Sequence, residues 1–346
     1  MPVSIFEPRT LLGVWEQTKQ AKKFLQSFLF GHEYQSTTEH IDLDEVTHNR
    51  IMAPFVSLTG RGKTIARTGF RMNTYTPPKL APNFVTTAQD LGTRQPGETL
   101  YDGKSPEQRD IAQVQHDLAK LDDIITRRTE WMCRETLFGG LVHMVGDDYD
   151  ETLDFGLTMK ENLNEVVGAK LFNAEGALPL NYLGEKALAV AAETGVMPTS
   201  CIMAMDVLLA FRANAQVKEA MNTTMQAIIA LQPRDVPEGG RYIMTVDIPE
   251  IGPLDIYTYA EWFEDGATRY PMVPNGYLAL VNPQDSFVLA YGAYTDLSTT
   301  PAVTYAVNRY PRSWYEPGPN QRFLEMVSRP LPAPTRTNAW YVAKVL

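Results

Sequence analysis

The pattern of apolar and polar positions changes character several times along the chain. Over the first 50 residues no period persists. Phe24-Leu25 and Phe28-Leu29-Phe30 form an apolar knot after Lys19, Lys22 and Lys23, which predicts a short helix followed by an extended arm. Thr37 to Leu43 alternates as a short strand does. From Ser57 to Ser105 only 11 of 49 residues are large and apolar, and Gly60, Gly62, Gly69, Pro77, Pro78 and Pro82 interrupt the stretch. This reads as a long two-stranded excursion that cannot bury itself. An isolated hairpin is marginal in water, so it needs another surface to lie on.

The clearest element follows. Ser105-Pro106-Glu107-Gln108 combines a Ser N-cap, Pro at the first helical position and Gln three residues after the cap. Ile111, Val114, Leu118, Leu121, Ile125 and Met132 then share one stripe, and Gly139-Gly140 ends it. At 1.5 Å per residue such a helix is about 50 Å long, with a stripe narrow enough for a strut rather than the centre of a core. Leu141–Val145 and Thr152–Leu157 flank the acidic turn Gly146-Asp147-Asp148-Tyr149-Asp150, which predicts a hairpin. From about Asn181 the texture is mixed α/β. Expected are a helix at Tyr182–Thr194, a strand at Cys201–Met205, helices within Val207–Leu231, and strands around Tyr242–Val246, Leu254–Ala260 and Tyr277–Val281. Tyr310 to Tyr315 reads as a Pro-containing aromatic loop, and Ala339–Val345 as a terminal strand.

Composition narrows the function. At about 150 residues per domain, 346 residues suggest two or three modules. The 44% apolar and 21% charged content excludes global disorder. No apolar run approaches the roughly 20 residues of a membrane span. Met1 to Glu7 lacks the features of a signal peptide, so the expected site of synthesis is the cytosol. A net charge of −10 argues against a surface built to grip nucleic-acid phosphates. The charge is uneven: Arg61, Lys63, Arg67, Arg71, Lys79, Arg94 and Lys104 give the Ser57–Ser105 excursion a balance of +4, against −14 elsewhere.

Candidate chemistry is thin. Ser57 to Thr64 ends in Gly-Lys-Thr but has Ser where a phosphate loop needs its first Gly. Gly97 to Ser105 has one residue too many between its glycines. Cys201 to Asp206 imitates an apolar strand ending in a magnesium-binding Asp, though Asp206 serves equally as a helix N-cap. The acidic group Asp147, Asp148, Asp150, Glu151 and Asp154 lacks the Gly and Glu of a calcium loop. The five His are scattered, and no Gly-x-Ser-x-Gly is present. Cys133 and Cys201 sit among apolar neighbours and read as buried packing residues. No catalytic, cofactor or metal residue is assigned. The basic residues Arg61, Lys63, Arg67, Arg71 and Lys79 are the candidates for an interface. An arm, an unburied basic hairpin, a long strut and a compact α/β module suit a subunit whose fold is completed by neighbours.

In this order of elements the sequence resembles the lambda-type major capsid proteins of tailed bacteriophages, the phage capsid protein E family, over nearly its whole length. The matching stretches are Thr37-Thr38-Glu39 with Ile41 and Leu43, then Ala53-Pro54-Phe55-Val56 with Gly60 or Gly62. Tyr149-Asp150 with Asp154 and Gly156 follow the charged helix. Further matches are Gly252 to Tyr257, Tyr259, Phe263-Glu264-Asp265-Gly266, Val273-Pro274 and Arg309 to Trp314. The resemblance implies an α+β tailed-phage capsid fold. Its parts would be an N-terminal arm (1–50), an extended β-hairpin loop (51–104), a peripheral domain with a long spine helix (105–180), an α/β axial domain (181–308), and a return to the peripheral domain (309–346).

The resemblance also implies a structural subunit, not an enzyme, that assembles in the host cytoplasm as hexamers and pentamers of itself into an icosahedral virion capsid around DNA, without a membrane or cofactor. Expected further partners are a small decoration protein, a separate scaffold and protease, and a portal. The chain begins directly with the arm, which agrees with a separate scaffold. No Lys–Asn cross-linking pair is assigned. Two other classes remain open from the residues: a P-loop-like nucleotide-binding enzyme resting on Lys63, Lys104 and Asp206, and another phage structural subunit of the tail or baseplate.

Overall fold

The long helix Pro106–Gly139 organises the molecule. It belongs to a computed structural model that describes residues 22–46, 52–53, 55–56, 61–62, 64, 70–92, 106–146, 149–166, 171–222, 229–265, 268–283, 287–297 and 302–346. Ser105, the expected N-cap, lies outside these residues. Val114, Leu118, Leu121, Ile125 and Met132 are buried as their spacing requires, whereas Ile111 is 41% exposed because the apolar cluster on this face begins only at Val114. The buried face is broader than a strut needs. Asp117, Asp122, Thr126, Thr129, Glu130, Cys133, Thr136 and Leu137 are also buried, so the helix joins several cores along its length. It stops at Gly140, whose φ of +69° disfavours any side chain, and whose missing Cβ would lie 2.3 Å from Leu157 Cβ.

Three apolar clusters line this helix. Toward its start, Val114, Leu118, Leu121 and Ile125 pack against Leu324 and Met326. These two lie on a three-stranded antiparallel sheet in which Gln321–Val327 pairs with both Tyr310–Glu316 and Asn83–Thr87. Two expectations are corrected here. The Tyr310–Tyr315 stretch is strand rather than loop, with Tyr310 buried. Asn83–Thr87, read as part of the unburied excursion, is paired into this sheet and so belongs with the body. A second cluster gathers Met132 with Val142, Met144, Leu153 and Phe155 around the hairpin of Leu141–Gly146 with Tyr149–Asp154, and with Leu331 and Ala333. The strand holding those last two, Pro330–Pro334, pairs with Phe287–Tyr291, which also takes the arm segment Glu33–Gln35 in parallel.

The largest cluster surrounds a seven-stranded mixed sheet. Its order is Lys160–Asn162, Tyr341–Lys344, Tyr277–Val281, Ser200–Met203, Gly252–Thr258, Arg241–Ile248 and Ile229–Asp235. The helices Pro179–Thr194, Met205–Ala213 and Ala215–Asn222 accompany it. Ser200–Met203 is buried at every position, as a central strand flanked on both sides should be. The strand expected to reach Met205 ends two residues earlier because Met205 opens the next helix. Asp206 is not the N-cap. That position is Ala204, and Asp206 Oδ2 instead accepts the Gly276 amide at 2.7 Å, which pins the turn before Tyr277–Val281. The terminal strand lies inside this sheet, between Lys160–Asn162 and Tyr277–Val281, rather than beside the long helix alone.

Candidate functional site

The features that set this chain apart from a self-sufficient domain are its joints and its unpaired surfaces. The arm joint is built first. The helix Phe24–Phe28 lies on the long helix, and its Leu25 and Gln26 amides donate to the Glu130 carboxylate at 2.7 and 3.1 Å. Gln26 Nε2 donates to Thr126 O at 3.0 Å. Phe24 seats on the bare backbone of Gly240, where a Cβ would approach the ring to 2.2 Å, stacks with Phe28 and meets Tyr259 at a tilt. Burial pushes the Glu130 carboxyl up to about 7, against the opposing pull of the Leu25 and Gln26 amides.

A second joint ties the long helix to the strand Tyr310–Glu316. Arg309 Nε donates to Asp122 Oδ1 at 3.0 Å, with both side chains buried. The other guanidinium nitrogens reach Ser328 Oγ at 3.0 Å and Thr126 Oγ1 at 3.3 Å. Nearby, Arg322 pairs with Asp110 and Arg312 with Glu325, so the three-stranded sheet is clamped to the helix and to itself by arginines. Arg329 gives its guanidinium to Ala293 O and Pro77 O, holding the root of the basic hairpin. These residues escaped the reading of the sequence as charges on a solvent face. Their signal was present: Leu118, Asp122, Thr126 and Glu130 recur every four residues on the face that the apolar stripe defines.

The hairpin begins where Ile41–Val46 pairs antiparallel with Phe70–Tyr75, and Glu45 stands opposite Arg71 in the register. Of the interface candidates, Arg61 is exposed between these strands. Lys79 is exposed at the hairpin's root, its ammonium 5.7 Å from the centre of the Tyr294 ring, in a cavity of about 340 Å³ shared with Arg329 and Glu39. Lys63 and Arg67 lie outside the described residues, as do Lys104 and all of the Gly97–Ser105 segment. The structure thus places Lys79 beside Arg329. Near the start of the hairpin, Phe55 is fully exposed and Met52 is 88% exposed. Elsewhere an aromatic rim forms at the hairpin of Trp262–Asp265 with Thr268–Pro271, where Arg269 covers the exposed Trp262 at 4.1 Å.

Among the described residues no group of three or more His, Cys, Asp or Glu side chains could hold a metal ion. Burial raises both the Cys133 and Cys201 thiols, which suits packing rather than nucleophilic residues. His143 meets Asp150 at 2.9 Å, a pairing within the acidic hairpin.

A long helix carrying an arm joint, a two-stranded hairpin and a seven-stranded mixed sheet together make an α+β fold. A crystal structure described as that of a prophage capsid protein from Escherichia coli CFT073 shares this fold with a TM-score of 0.69, at 16% identity, over 98% of this chain and 99% of that one. The chain belongs to the family of phage major capsid protein E, whose model matches residues 7–345. The major capsid protein of Enterobacteria phage P21 is 23% identical over 339 residues, 95% of this chain and 96% of that protein. The P21 prophage-derived major head protein of Escherichia coli O6:H1 matches to the same extent. This is therefore a structural protein of the virion capsid, the subunit of which a phage shell is made.

Proposed function

We propose that the chain assembles with copies of itself into hexamers and pentamers that close an icosahedral shell around DNA in the host cytoplasm, and that it catalyses no reaction. Membership of the capsid family carries this reading, and the exposed Phe55 and Met52 on a hairpin that its own body leaves uncovered support it. In this reading residues 1–50 form the arm, 51–104 the loop except for Asn83–Thr87, 105–180 with 309–346 the peripheral domain, and 181–308 the axial domain, whose sheet also takes Lys160–Asn162 and Tyr341–Lys344. Arg61, Lys63, Arg67, Arg71 and Lys79 give the loop a basic face that meets an acidic face of the adjacent subunit. The overall charge of −10 keeps an inner wall from gripping the packaged DNA. A separate scaffold and protease, a portal and a small decoration protein complete the particle. Size-exclusion chromatography with negative-stain microscopy of the purified chain tests this. Capsomers or megadalton shells are expected; a small species with ATP turnover that disappears in Lys63→Ala or Lys104→Ala refutes it.

A further inference from the structure

The arm joint holds a carboxyl group in an unusual setting. Asp122 and Glu325 are buried against Arg309 and Arg312, but among the described residues no ion pair reaches Glu130, which is 1% exposed. Its partners are neutral: the Leu25 and Gln26 amides, and the buried Tyr259 hydroxyl that faces it. The charged and titratable groups around it come from every element of the joint. Asp123, Arg127 and Cys133 belong to the long helix, and Lys22 to the arm, whose Lys23 amide is taken by Glu238. Glu261 follows Tyr259. A cavity of about 230 Å³ lined by Lys22, Asp123, Arg127, Glu130, Tyr259 and Glu261 gives protons a way in.

We propose that Glu130 is a proton-linked latch: the arm helix docks over a neutral Glu130 carboxyl and is loosened when that carboxyl ionises. A neutral carboxyl still accepts both amides, through its carbonyl oxygen and the free lone pair of its hydroxyl. An ionised one keeps the amides but is left buried without a counter-charge. With the arm undocked the group returns to water and to the ordinary carboxylate range near 4.3, whereas docked it titrates at about 7. Docking therefore takes up a proton between these values. Its advantage is complete below the ordinary range and lost as pH rises through about 7. This goes beyond the role of shell subunit and holds for the unassembled chain.

Hydrogen exchange with mass spectrometry on the full, unassembled chain from pH 5 to pH 8 tests the latch. Corrected for intrinsic exchange, protection of Leu25 and Gln26 is expected to fall roughly tenfold per pH unit between about 5 and 7 and then level off. In Glu130→Gln the same amides should show flat protection. A flat wild-type profile, or an unchanged slope in Glu130→Gln, overturns the proposal. Should that variant fail to fold, infrared titration of the wild type decides. A protonated carboxyl band that persists to pH 6 and vanishes near 7 supports the latch, and its absence above pH 6 refutes it.

Discussion

Replacing Arg309 by Met would leave Asp122 as a buried carboxylate without its counter-charge. The wild-type pair is held at 3.0 Å, with Arg309 5% and Asp122 2% exposed, so water cannot take over the lost partner. Breaking such a pair from one side costs about 3–5 kcal/mol, most of it the penalty of the stranded charge. The guanidinium also serves Ser328 Oγ and Thr126 Oγ1, and those hydroxyls lose a donor in the same step. Urea unfolding followed by circular dichroism would report the loss as a lower midpoint at unchanged slope. Two companions make the reasoning specific. Arg309→Met with Asp122→Leu removes both charges and should recover most of the stability, since well-packed apolar replacements of a buried pair are commonly neutral or better. Arg241→Ala breaks the exposed Arg241–Asp235 pair, whose side chains are 58% and 81% exposed, and should cost no more than about 1 kcal/mol. If Arg309→Met proves as mild as Arg241→Ala, or the double variant is no better than the single, the joint is not held by this charge pair.

Leu121→Pro is expected to break the long helix at a fully buried position, costing about 3 kcal/mol or more before lost packing; intact shells from this variant would refute the helix's structural role. Gly140→Ala should cost about 1–2 kcal/mol in backbone strain and about 1–3 kcal/mol from overlap with Leu157, read as a lower thermal midpoint. Reversing Arg61, Arg67 and Arg71 to Glu together should leave the monomer's circular dichroism unchanged while light scattering shows poor assembly. The salt dependence of assembly should change too, because exposed charges are screened over about 8–10 Å at moderate ionic strength; normal shells at every salt concentration would show that the basic bias is incidental.

Much of this fold was legible because its elements are long and locally consistent. The stripe from Val114 to Met132, with Gly139-Gly140 behind it, left little choice about the helix Pro106–Gly139, and the continuous apolar run around Cys201–Met203 marked a central strand. What escaped was set by tertiary context. Tyr310-Pro311-Arg312 looks like a loop until Gln321–Val327 pairs with it in a sheet whose far edge is Asn83–Thr87, over 200 residues earlier. Glu130 and Asp122 look like solvent charges until the arm and Arg309 arrive from distant parts of the chain. The basic interface candidates were legible only as a bias in charge. A spacing argument cannot say what an exposed arginine meets when its partner sits on another copy.

The place of Tyr341–Lys344 in the seven-stranded sheet has a consequence in time. The strand lies between Lys160–Asn162 and Tyr277–Val281, and Trp340 beside it is fully buried, its indole donating to Leu137 O at 2.9 Å. During synthesis the sheet therefore waits with an empty slot until residues 340–345 emerge. At about 5–20 residues per second, that is on the order of half a minute after the arm first leaves the ribosome. The long helix cannot be locked at its far end before then, because Leu137 receives Trp340 last. A chain cut before Trp340 would leave this slot in the sheet unfilled and Leu137 O without its indole donor.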